Sequence, residues 1–132
     1  MATTIADRGW NADAIARIFG WVFLAAGVLG FFPNPLVSYR GLFEVNTLHN
    51  LVHIVSGGAL LAAPYYNLSV SIMRIIGVVY AIVMVLGFIS TDMMSWLAIN
   101  QPDNWLHLIL AGGLLWAGFS MTEDRERITT AH

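Results

Sequence analysis

Asn46-Thr47-Leu48-His49-Asn50-Leu51-Val52-His53 is answered later in the chain by Asn100-Gln101-Pro102-Asp103-Asn104-Trp105-Leu106-His107. In register, the two segments keep an asparagine first, another asparagine fifth and a histidine last, while His49 of the first is exchanged for Asp103 of the second. A glycine pair follows each, Gly57-Gly58 and Gly112-Gly113. The stretches ahead of them also align: Arg17-Ile18-Phe19-Gly20 with Arg74-Ile75-Ile76-Gly77, and Val28-Leu29-Gly30-Phe31 with Val85-Leu86-Gly87-Phe88, at one common offset. The chain therefore reads as one helical hairpin written twice, over about 14–66 and 71–121, and the fold expected is an all-α four-helix bundle.

The solvent of that bundle follows from composition. Of 132 residues, 58% are hydrophobic and only 11% charged, and the mean hydropathy is +0.70. A water-soluble domain of this size needs far more surface charge. Four apolar stretches fill most of the length, each close to the ~20 helical residues that a bilayer core demands. The reading is a single integral membrane domain with spans at about 14–32, 46–64, 69–90 and 101–121.

Boundaries have local causes. Pro33-Asn34-Pro35 ends the first span, because proline lacks a backbone donor and biases its predecessor away from the helix. A loop of about a dozen residues leads to Asn46, a good N-cap. The second span closes near Pro64, with Tyr65 and Tyr66 interfacial, and Asn67-Leu68 makes a tight connection. The third and fourth spans are joined by a loop around Thr91 to Ile99, with Trp96 and Trp105 at that interface. The polar N-terminus lacks a short apolar core followed by a small-residue cleavage pattern, so the first span is read as retained. Arg8, Arg17, Arg74, Arg125 and Arg127 lie on the side of the termini against Arg40 on the other, which predicts cytoplasmic termini and outward-facing long loops.

Each repeat holds two spans, so both share one topology and a pseudo-two-fold axis runs along the membrane normal. Small residues such as Gly20, Ala26, Gly27, Gly30, Gly77 and Gly87 allow close helix approach where lipid offers no hydrophobic drive to association. The axis brings His49 and His53, four apart on one helix, towards Asp103 and His107, four apart on its counterpart. Three imidazoles and a carboxylate suit a divalent transition ion such as zinc, iron or copper. Asn50 and Asn104, beside the ligands in sequence, are placed to fix imidazole tautomers through hydrogen bonds. The site is expected in the first turns of the second and fourth helices, at the outward edge of the membrane.

The same residues admit other uses. His53 and His107 form a symmetric pair for axial ligation of haem b, with adjacent glycines leaving room for a macrocycle, or one histidine each for a pigment magnesium. Haem leaves His49 and Asp103 without a role. Asn46 and Asn100 are most simply caps, and Asp103 stands at the third helical position, where a carboxylate stabilises free amides and the helix dipole. Glu44 and Asp92 lie at the same outward end as solvated carboxylates or the mouth of a metal site. Arg17 and Arg74 read as stems snorkelling to lipid phosphates, and the mixed-charge tail Glu123 to Arg127 as a solvated helix extension.

Several function classes fall away. Six arginines, no lysine and a net charge of −2 leave no basic surface for nucleic acid. No cysteine is present, which removes disulfide frameworks, thiolate nucleophiles and iron-sulfur ligation. No nucleotide loop, Ser-His-Asp set or paired general acid and base appears, so no catalytic residue is assigned.

The stretch Gly41 to His53, with Gly30-Phe31 before it and the glycine pair after it, resembles a family of small bacterial four-helix membrane proteins catalogued as domain of unknown function 4383. The likeness runs from about Ala14 to Met121, and its most specific part is Asn-x-x-His-Asn-x-x-His. The resemblance implies a multi-pass protein of the bacterial cell membrane and carries no reaction, substrate or cofactor with it. The sequence thus predicts a membrane protein binding a divalent metal through His49, His53, Asp103 and His107. Haem or pigment binding, and a structural role in a homo-oligomer or larger membrane complex, are the alternatives.

Overall fold

In the computed structural model of the chain, residues 10–124 are described, and every element among them but one short loop pairing is helical. The first helix, α1 (Ala12–Leu29), starts where Asn11 accepts the Ala14 amide on its side-chain oxygen at 2.8 Å. Such a cap satisfies one of the amides that a helix start leaves free. Gly30 keeps helical dihedrals and donates to Ala26 O, and the chain then turns ahead of Pro33.

Asn34 organises the loop that follows. Its Nδ2 donates to the carbonyls of Leu29, Phe32 and Val37, and its Oδ1 accepts the amides of Leu36 and Val37. The loop folds back so that β1 (Val37–Ser38) pairs in parallel with β2 (Phe43–Glu44). This pairing carries no sequence signal, since two residues are too few for a period-two pattern.

The second helix, α2 (Thr47–Ala62), opens on Asn46, whose Oδ1 accepts the His49 amide at 2.9 Å. A 3-10 turn over Ala63–Tyr66 carries Pro64, and Asn67 in left-handed conformation (φ 56°) reverses the chain. Asparagine tolerates that region better than most non-glycine residues. The third helix, α3 (Ser69–Ile89), leads through a loop with a second 3-10 turn, Ser95–Leu97, and a left-handed Ala98, into α4 (Gln101–Ser120).

Helix α1 packs along α2, and α3 along α4. Glycines decide how closely. A Cβ on Gly20 would meet Leu61 Cγ at 2.8 Å, and one on Gly77 would meet Leu115 Cγ at 2.9 Å. At Gly30 the space of a Cβ is filled by the Asn50 amide, and at Gly87 by the Asn104 amide. Between the hairpins lies an apolar core that includes Phe23, Leu60, Met73, Tyr80, Leu110 and Leu114.

Many large apolar side chains face outward, while a group of polar side chains is buried. Val55 and Ile109 are each 70% exposed and Phe119 66%, while His49, His53 and His107 are 3%, 4% and 1% exposed, with Asn50 and Asn104 fully buried. By length and composition, α1 and α3 are each apolar enough to cross a membrane. Helix α2 has only 16 residues before its 3-10 turn, and α4 begins with a polar turn holding Gln101, Asp103 and Asn104. The four spans expected from sequence thus appear as two such helices and two shorter or more polar ones.

Arg74 does not reach away from the bundle. Its Nε donates to Gly118 O at 2.5 Å and its guanidinium lies 4.8 Å from the Phe119 ring centroid, satisfying a carbonyl that the end of α4 leaves free. Glu123 is 7% exposed and accepts the Ser71 amide on Oε1, so the first part of the expected solvated tail is tucked against the start of α3. Asp7, Arg8, Arg125, Glu126, Arg127 and His132 lie outside the described residues.

Candidate metal centre

His49 and His53 stand one turn apart on α2, and His107 is carried by α4. Their ring centroids are 4.5 Å (His49 to His53), 5.8 Å (His49 to His107) and 6.1 Å (His53 to His107) apart. One ligand nitrogen from each lies within 4.8 Å of the others. All three come from one chain, so the constellation needs no second copy to complete it. Phe23 packs edge-on to His53 at 5.8 Å, and Tyr80 edge-on to His107 at 5.4 Å, closing the apolar side. Tyr80 also stacks on His53, and its hydroxyl is 3.0 Å from Ser56 Oγ.

Hydrogen bonding sets what each ring can do. His49 Nδ1 is 2.8 Å from the carbonyl oxygen of Leu97. A carbonyl only accepts, so Nδ1 carries the proton and Nε2 is left with a free lone pair. That is the arrangement by which outer partners aim a ligating histidine. His53 and His107 have no hydrogen-bond partner on either ring nitrogen, although all four atoms are buried. A buried polar group without a partner costs about 1–3 kcal/mol. Four of the buried side-chain atoms without a partner among the described residues thus sit on these two neighbouring rings.

Donor geometry and chemistry fit a transition ion. Nitrogens bound at about 2.0–2.1 Å lie roughly 3.3–3.5 Å from one another, so the present spread of up to 4.8 Å closes with modest rotation of the three side chains. A flat macrocycle fits less well. The rings of His49 and Tyr80 lie 4.5 Å and 6.2 Å from His53, so a macrocycle between His53 and His107 would have to displace them.

Asp103 is not in the group whose ligand atoms lie within 4.8 Å of one another. Its carboxylate accepts the Asn100 amide at 3.0 Å while Asn100 Oδ1 accepts the Asp103 amide at 3.1 Å, a reciprocal capping box. One oxygen of the carboxylate, Oδ2, is thus engaged at the start of α4, the use that proximity to free amides favours. The asparagines beside the ligands are also used otherwise than expected. Asn104 Nδ2 donates to Gln101 Oε1 at 3.2 Å, and the Asn50 amide has no hydrogen-bond partner. Both face glycines of the neighbouring helix, so neither orients an imidazole, and the Leu97 carbonyl fills that role for His49.

Sequence reasoning missed Leu97, Phe23, Tyr80 and Ser56. Leu97 acts through its backbone, which no side-chain pattern reports. Phe23 and Tyr80 occupy corresponding places in α1 and α3, one turn after Gly20 and Gly77, and that correspondence was the available signal. Glu44 and Asp92, with Ser95, Asn100 and Gln101, line a cavity of about 310 Å³ at the end of the bundle where the loops meet.

No curated protein and no solved structure matches the chain. The family model described as Domain of unknown function (DUF4383) matches residues 14–120. A bundle of four helices around a buried histidine cluster, matched over nearly all of its helical length, therefore belongs to the DUF4383 family.

Proposed function

We propose that this protein is a membrane-embedded, duplicated helical hairpin that holds one transition-metal ion between its halves with His49, His53 and His107. The observation that carries the metal reading is the set of four unpartnered, buried nitrogens on His53 and His107. An ion supplies what protein hydrogen bonds do not: an electrophile that accepts a lone pair from each ring at once. Protons cannot play that part equally well, because charging adjacent buried imidazoles sets like charges a few ångströms apart.

Duplication is supported by paired contacts. Asn46 Nδ2 donates to Trp96 O and Asn100 Nδ2 to Leu42 O, both at 2.9 Å, and the repeat alignment exchanges Asn46 with Asn100 and Leu42 with Trp96. The same alignment exchanges Gly30 and Asn50 with Gly87 and Asn104, and Phe23 and His53 with Tyr80 and His107. Membrane insertion is supported by the apolar outer surface, since exposed Ile, Val, Leu, Phe and Trp with His, Asn and Ser kept inside is the arrangement hydrocarbon requires. On the positive-inside count the loops with the metal centre face outward and the acidic cavity of Glu44 and Asp92 opens on that side.

The test is metal content. Detergent-purified wild type is expected to retain close to one ion per chain by elemental analysis. His53→Ala and His107→Ala proteins that elute at the same volume are expected to retain none. A metal-free wild type that takes up no ion on reconstitution ends the reading.

A further inference from the structure

We infer that the ion is monovalent copper, Cu(I), held by three imidazoles alone, in preference to any divalent ion. The inference rests on the metal reading above and adds the charge and identity of the cargo.

The donor set is neutral. His49, His53 and His107 bring nitrogen lone pairs and no charge, and the nearby carboxylate, Asp103, is committed to the amide of Asn100. Phe23, Tyr80 and the apolar core pack against the trio, and the Leu97 carbonyl, the hydrogen-bond acceptor on it among the described residues, is spent on the His49 N–H. The cost of placing an ion in such a medium grows with the square of its charge, so a dication costs about four times as much as a monocation to bury. A dication at three neutral imidazoles ordinarily recovers part of that cost by ionising a bound water. Here the three residues are at most 4% exposed, and the polar hydroxyl of Tyr80 is already engaged with Ser56 Oγ.

Coordination number points the same way. Three donors from two helices complete the shell of an ion that accepts trigonal geometry, whereas zinc, iron(II) and nickel(II) ask for a fourth ligand or more. Imidazole is an accepted ligand for copper, and no thiolate exists in the chain to compete for it. Cuprous ion therefore satisfies the charge and the donor count together.

The experiment uses the full chain in detergent, without oxygen. Cu(I), added as its acetonitrile complex, competes against bicinchoninate, and Zn(II) competes in parallel against a chromophoric chelator. The expected result is one Cu(I) per chain, bound roughly 100-fold or more tighter than Zn(II), with an X-ray absorption edge of a three-coordinate cuprous ion and a nitrogen-only first shell. The outer-shell scattering of imidazole identifies the ligands in wild type, so the result stands even if histidine variants misfold. Zn(II) bound as tightly as Cu(I), or a sulfur in the shell, overturns the cuprous assignment and leaves a metal site in place. Binding of neither ion overturns the cuprous assignment, and the metal reading then falls only if purified wild type also carries no ion by elemental analysis.

Discussion

Alanine at Gly30 is the sharpest test of how the hairpins are held. The backbone there has φ −60° and ψ −20°, ordinary helical values, so alanine brings no dihedral strain. Its Cβ, however, would fall on the amide of Asn50, a side chain that is fully buried. Overpacking of this kind costs about 1–3 kcal/mol, and the Asn50 amide has no hydrogen bond to lose on moving, so packing sets the cost. Gly58 is the control, because a Cβ there meets nothing within 4 Å. Replacement at such an open position stays within about 0.5 kcal/mol of neutral. Unfolding of the detergent-solubilised protein by SDS, followed by circular dichroism or tryptophan fluorescence, should therefore place Gly30→Ala about 1–3 kcal/mol below Gly58→Ala. The double variant Gly30→Ala/Asn50→Ala should recover at least part of the loss, with a coupling of about 1 kcal/mol or more. Equal stability of Gly30→Ala and Gly58→Ala would refute the packing argument. Gly87→Ala, set against Gly112→Ala, repeats the experiment in the second hairpin.

Asp103→Ala should lower stability by about 0.5–2 kcal/mol through loss of the capping box while metal content stays at the wild-type level; loss of the ion with unchanged stability would make the carboxylate a ligand. Asn46→Ala removes both the cap on His49 and the bond to Trp96 O. It is expected to cost about 1–2 kcal/mol and to loosen the loop carrying Leu97, read as faster amide exchange at residues 95–99. Ile109→Arg tests the solvent of the outer surface. In a bilayer it should cost about 2.5–3.5 kcal/mol and reduce insertion, whereas in water an exposed substitution leaves stability nearly unchanged.

Four helices and their order were legible because proline, asparagine and glycine stand at the boundaries and apolar stretches lie between. The pairing of Val37–Ser38 with Phe43–Glu44 was not, for it depends on the Asn34 side chain collecting backbone groups from both sides of the loop. At the site, the i, i+4 spacing of His49 and His53 and the matching position of His107 brought the trio together in the reading. Asp103 was carried along by the same alignment. What the alignment does not convey is that a carboxylate at the third position of a helix has free amides within reach, whereas an imidazole at that position does not seek them. His49 and Asp103 therefore align in sequence and make different contacts. Four spans of equal standing were expected from hydropathy, yet the polar side chains that build the site also shorten or dilute the apolar stretches of α2 and α4.

Imidazole nitrogen NMR reads the central claim most directly. In protein labelled with nitrogen-15 at histidine, one equivalent of metal should shift the signals of three rings together, in slow exchange, while the fourth, from His132, stays where it was. Shifts confined to a single ring, or to His132, would contradict a centre built from His49, His53 and His107.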